Sequence, residues 1–136
     1  MKEMIYQSMR TFEILAHGEH NGFPYWVISM GTHPCAYVDV TSIKDKLGEN
    51  PRIGCHGGVT YDDDHLRGVW DEASDGFESG TRRFIGWDYA HLNDYYEHPG
   101  EMTSAFINMM EKSHKWTTEE MVEEAKWTID GIIEIM

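Results

Sequence analysis

Two cysteines, Cys35 and Cys55, are too few to staple a fold. Neither belongs to a CxxC pair, so a thiolate metal clip would need ligands from elsewhere. Free thiols in a reducing compartment are the expectation. Long apolar runs are also missing. Nothing approaches the roughly 18 residues that span a bilayer, and Ile14-Leu15-Ala16 is too short for the apolar centre of a secretion signal. Positive charge is scarce: 11 Lys and Arg stand against 24 Asp and Glu, for a net charge of −13 with neutral histidines. Such a surface repels phosphate backbones and anionic lipid, which excludes duplex nucleic acid and membrane as broad-face partners. The sequence has no Walker A loop, Rossmann glycine fingerprint, HExxH or GxSxG. With 136 residues there is no room for a TIM barrel or a kinase. These absences leave a soluble, intracellular, single compact domain over 1–136 as the expectation. Its acidity either serves solubility or imitates nucleic-acid charge in front of a DNA-binding protein.

What is present reads as strands followed by helices. Residues 10–17 and 23–30 are apolar and aromatic segments around Asn21-Gly22, the strongest short hairpin dipeptide. In the first of them Phe12, Ile14 and Ala16 alternate with Glu13 and Leu15. Tyr37, Val38 and Val40 suit a strand after Pro34, and residues 41–52 suit a polar loop with a helical turn near its start. Residues 53–61 predict a strand interrupted by Gly57-Gly58, and 82–87 another strand beside it. Asp62-Asp63-Asp64 reads as a solvated acidic turn, because the spacing of a calcium loop is missing. Glu101 to His114 predicts a helix. Thr117 and Glu120 form a capping box ahead of a final helix over 118–135, with Met121, Ala125, Thr128, Ile129 and Ile132 at helical spacing. The fold class expected is α+β: a small antiparallel or mixed sheet followed by one or two C-terminal helices.

Candidate chemistry gathers at a few positions. Asp88, His91 and Asp94 share one face if they begin a helical turn. With His56 they make a carboxylate–imidazole set that suits a divalent metal, or acid–base catalysis without one. Asp88 can equally be a plain helix N-cap. Gly57 and Gly58 suit either a backbone nest for phosphate or a bulge that curves a sheet. Arg82 and Arg83 are the densest positive charge, and on a strand they point to opposite faces. Tyr61, Trp70, Trp87, Tyr89, Tyr95 and Tyr96 can stack on a planar ligand or fill the core. His33 lies two positions before Cys35.

In order, Gly31-x-His33-x-Cys35-x-Tyr37-Val38, His56-Gly57-Gly58-Val59-Thr60-Tyr61 and Phe84-Ile85-Gly86-Trp87-Asp88-x-Ala90-His91-x-x-Asp94 resemble a small family from tailed phages and prophages. That family is one of uncharacterised function. Its usual motifs read G-H-x-C-G-Y-V, H-G-G-L-T-[YF] and G-F-D-C-A-H-x-x-D. Ala36, Trp87 and Tyr89 stand here where the family usually has Gly, Phe and Cys, so a thiol at position 89 is not needed. The resemblance implies a phage accessory protein acting in the host cytoplasm, in a setting where small phage proteins counter host defence. Joined to the residues, this gives the leading expectation: the protein binds and sequesters a small nucleotide-type ligand such as a host immune second messenger. His56, Gly57 and Gly58 would meet phosphate, Tyr61 and Trp87 would stack on the base, and Arg82 or Arg83 would neutralise charge, with Tyr89 and His33 as further ligand-binding candidates. The alternatives are a small phosphodiesterase-like hydrolase using His56, Asp88, His91 and Asp94, with or without a divalent metal, and an acidic inhibitor of a host nuclease. A homo-oligomer stays open.

Overall fold

The computed structural model describes residues 3–7, 10–29, 33–49, 51–64, 66, 82–89 and 112–136. Among the described residues six strands form one antiparallel sheet: β1 (Glu3–Gln7), β2 (Arg10–His20), β3 (Phe23–Ser29), β4 (Pro34–Asp39), β5 (Tyr61–Asp63) and β6 (Phe84–Asp88). Their order across the sheet is β1-β2-β3-β4-β6-β5. A helix, α1 (Thr118–Glu134), follows them, so the fold is α+β with an antiparallel sheet. No helix among the described residues is long and apolar enough to cross a membrane. The helix expected over 101–114 lies outside the described residues except at 112–114, which are not helical.

The β2–β3 hairpin turns on Asn21 (φ 49°) and Gly22 (φ 89°). Both are in the left-handed region, which a two-residue hairpin of matching twist demands. Asp130 of α1 holds this tip, accepting from Asn21 Nδ2 and bonding His20 Nε2, each at 2.9 Å. The expected alternation in β2 is broken. A register shift between Ile14 and Ala16 inserts one residue, so Ile14 joins the core on one face while Ala16 packs on the other.

Alternation along β3, β4 and β6 buries both faces of the sheet. Phe23, Tyr25, Val27, Val38, Ile85 and Trp87 point towards α1 and pack with Met121, Ala125, Ile129 and Ile132. Trp26, Ile28, Cys35, Tyr37 and Phe84 form the opposite cluster with Leu66. Gly86 is required by close approach: a Cβ there would stand 2.5 Å from Tyr37 Cδ1 and 2.8 Å from the Ala36 carbonyl. The capping box forms as its spacing predicts. Thr117 Oγ1 accepts from the Glu120 amide at 3.2 Å, and Glu120 Oε1 accepts from the Thr117 amide at 3.0 Å.

Residues 53–61 depart from expectation. Only Tyr61–Asp63 forms a strand, paired to β6 with Tyr61 opposite Gly86. Residues 51–60 instead run as an irregular loop. The acidic triplet is thus partly an edge strand rather than a free turn. Thr128 Oγ1 of α1 donates to the Gly54 carbonyl at 3.1 Å and ties this loop to the helix.

Candidate functional site

The loop doubles back at Cys55–Gly58. The Gly58 amide donates to the Cys55 carbonyl at 3.1 Å, and Gly57 (φ 69°) occupies the position where a type II turn needs a left-handed residue. Gly58 is also left-handed, at 82°, and a Cβ there would meet nothing within 4 Å. Both glycines therefore serve backbone torsion rather than a sheet bulge, and at Gly58 no close contact adds to that need. The Gly58 amide is already spent within the turn, which removes one donor from the nest expected here.

The doubled-back chain encloses an open groove of about 440 Å³. Pro51, Arg52 and Ile53 form one wall, and Gly58 to Asp62 the other. Its electrostatics are simple. Arg83 grips Asp62 in a bidentate pair, Nε to Oδ1 at 2.9 Å and Nη2 to Oδ2 at 2.7 Å, so that carboxylate is neutralised. Arg52 is exposed and makes no ion pair or hydrogen bond among the described residues. Among the described residues it is the one cation lining the groove. Tyr61 supplies a half-buried ring, set edge-on to Tyr37 with centroids 5.3 Å apart. Thr60 adds an exposed hydroxyl that reaches Asp88 Oδ2 at 3.4 Å.

Behind the turn lies an aromatic and acidic cluster. The His56 ring stacks on Tyr89, centroids 5.0 Å apart and planes within 9°. Trp116 closes on both rings at 4.8 and 4.9 Å. Trp116 precedes the N-cap of α1, where an apolar side chain fixes the angle at which the chain enters the helix. Beneath the stack, Trp87 Nε1 donates to Tyr89 Oη at 2.9 Å and to Glu124 Oε1 at 3.1 Å. Tyr89 Oη donates in turn to Glu124 Oε1. Burial, reinforced by the hydrogen bond to Glu124, pushes the Tyr89 phenol up in pKa. Burial, with Glu124 adding to it, pushes the Cys55 thiol up to about 12. Cys55 is therefore a protonated packing residue at neutral pH, not a nucleophile.

The structure distributes the expected site residues over several places. Trp87 and Tyr89, expected to offer ring faces to a ligand, are 1% and 0% exposed. Arg82 pairs with the buried Asp39 and donates to Thr41 Oγ1 at 3.2 Å. Arg83, besides Asp62, donates to the Lys44 and Gly48 carbonyls at 2.8 Å each. Both arginines brace the 41–48 loop from just ahead of β6, which begins at Phe84 rather than at residue 82 as expected. Asp88 is the last residue of β6 rather than the start of a helix. Alternation places it on the face opposite Tyr89, and hence opposite the ring on which His56 lies. His33 is half-buried, one residue before β4. Trp70, His91, Asp94, Tyr95 and Tyr96 lie outside the described residues. Among the described residues no group of three or more His, Cys, Asp or Glu side chains comes together to hold a metal.

Arg52 and Glu124 were missed at the sequence level. Glu124 had a readable signal, because it falls three residues after Met121 and four before Thr128, on the buried stripe of α1. Arg52 had none beyond its place in a polar loop. Compared with known proteins, the chain matches no family model, no curated protein and no solved structure.

Proposed function

We propose that the protein binds and sequesters a small nucleotide-type anion in the groove between Pro51–Ile53 and Gly58–Asp62. The observation that carries this reading is an exposed arginine with no ion pair or hydrogen bond among the described residues, in a groove lined also by a tyrosine ring and a threonine hydroxyl, where the one carboxylate among the described lining residues is already neutralised. An anion entering there gains a charge-assisted hydrogen bond without breaking an existing ion pair. The wider surface is acidic, so attraction is local and the groove favours small ligands over polyanions. Compared with the sequence-level reading, the contacts move: Arg52 takes the role given to Arg82 and Arg83, and Tyr61 keeps its own. The ordered motifs that resemble a small tailed-phage family supply the biological setting: a phage accessory protein that withholds an immune messenger from its host receptor.

The test is equilibrium binding of AMP, cyclic di-AMP and cyclic ADP-ribose to the purified protein, followed by heat release and analysis of the ligand. Retention of at least one, weakened about tenfold or more by Arg52→Ala, is expected, since a hydrogen bond to a charged group contributes about 1.5–3 kcal/mol. No retention of any probe by the wild-type protein refutes the reading. A second reading, hydrolysis, draws on one contact: the Asp88 carboxylate reaches Thr60, a groove residue. Heat release separates the two, because a sequestering protein returns intact ligand and a hydrolase returns product.

A further inference from the structure

We infer that Trp127 is the platform on which the ligand's base stacks, so that the groove takes a nucleotide rather than a bare phosphate or a sugar phosphate; this rests on the groove reading above. Trp127 is 64% exposed, while Trp26 and Trp87 are 7% and 1% exposed. An indole left this open on a folded helix is free to cover a planar ligand.

Its position is fixed by the loop that forms the groove wall. The six-membered ring of the indole lies over Gly54, where a Cβ would stand 3.3 Å from Cη2 and 3.5 Å from Cζ3. A side chain at position 54 would press on the ring. One residue further along α1, Thr128 holds the Gly54 carbonyl itself. Helix and loop are thus locked at the point where the ring is seated. Arg52 is two residues from Gly54, which puts their Cα atoms no more than about 7.6 Å apart. Arg52 and Gly54 are exposed with Ile53 buried between them, so the guanidinium and the seat of the ring open to solvent from one short stretch of loop at the rim of the groove; the proposal puts the phosphate on Arg52 and the base over the indole. Aromatic stacking tolerates any base, so the platform selects for a base without selecting which one.

The experiment compares AMP with ribose 5-phosphate, which lacks the base, on wild-type protein, Trp127→Leu, Trp127→Phe and Arg52→Ala. Trp127 is exposed, so its replacements leave the core untouched. Trp127→Leu should weaken AMP about tenfold, within the range expected for one stacked base, and leave ribose 5-phosphate unchanged. Trp127→Phe should restore most of the loss, and Arg52→Ala should weaken both ligands. Wild-type binding of AMP that Trp127→Leu does not alter overturns the platform and leaves the groove reading standing. Failure of AMP, cyclic di-AMP and cyclic ADP-ribose alike to bind the wild-type protein overturns both. Trp127, Ile133, Ile135 and Met136 are all exposed on or just beyond α1. A change in sedimentation coefficient on Trp127→Leu with unchanged AMP affinity would make the ring a contact between copies of the chain, and would likewise overturn the proposal.

Discussion

Truncating Glu124 tests whether the cluster behind the turn stabilises the fold or merely occupies it. The carboxylate accepts from Trp87 and from Tyr89, whose ring is fully buried. In Glu124→Ala the indole N–H keeps Tyr89 Oη at 2.9 Å as its acceptor. The phenol hydrogen is left with no acceptor from this cluster. An orphaned buried donor costs about 1–3 kcal/mol, more when its lost partner was charged. Relief of the carboxylate's own partial burial offsets some of that. The expected net loss is about 2 kcal/mol, read as a lower urea midpoint with an unchanged slope. In a chain of this size that lowers Tm by roughly 5–10 °C. Glu124→Gln, which keeps an acceptor oxygen, should lose less than half as much. Tyr89→Phe removes the donor instead, and the double-mutant cycle with Glu124→Ala should show coupling of about 1 kcal/mol or more. A Glu124→Ala protein within about 0.5 kcal/mol of wild type, or a cycle that adds up without coupling, would refute this account.

Two further outcomes are expected. Cys55 and Tyr89 both hold their protons more tightly when folded, so their contribution is complete below the unfolded value, 9.0 for the thiol, and is lost as pH rises above it. Urea titrations should show stability declining from about pH 9 upward, with a shallower decline in Cys55→Ala; the wild-type thiol should react slowly with alkylating reagents at pH 7. Gly86→Ala places a methyl group against Tyr37 and the Ala36 carbonyl in the paired centre of β4 and β6, and should cost about 1–3 kcal/mol as an overpacked core does; a thermal melt matching wild type would show that the sheet can shift at no cost.

Much of the frame could be read from the residues. The Asn21-Gly22 turn, the capping box and the apolar stripe of α1 are local signals, each fixed by a few neighbouring side chains, and each appears where its spacing places it. The strands around 37 and 85 are equally local. The loop over 51–60 was not legible as such, because its apolar Ile53 is buried, and Cys55 and Val59 partly buried, by packing against the helix side of the core rather than by pairing. The bulge in β2 escaped for the same reason: Ile14 and Ala16 alternate in sequence, and only the neighbouring strand reveals the inserted residue. In the candidate site, Gly57 and Gly58 stood out in sequence as a nest or a bulge, and the tight turn they form instead depends on the Gly58 amide reaching the Cys55 carbonyl. The neutralisation of Asp62 by Arg83 was not, since it joins two residues far apart in the chain. Nor was the seat of Trp127 on Gly54, which sequence spacing alone would assign to an ordinary exposed helix face.

The order β4-β6-β5 has a kinetic consequence. Strands β1 to β4 follow one another in the sheet as they do in the chain, so each closes on its predecessor at small loop-entropy cost. Strand β6 must return from far along the chain to reach β4, and β5 pairs with β6 alone among the described strands. The outer wall of the groove, carried by β5, therefore joins the rest of the described sheet only through the pairing of β6 with β4. Any opening that parts β6 from β4 takes the groove with it. Amide exchange at Tyr61–Asp63 can then be no slower than that opening permits, and the groove wall sits on the part of the described sheet joined to the rest by its longest-range pairing.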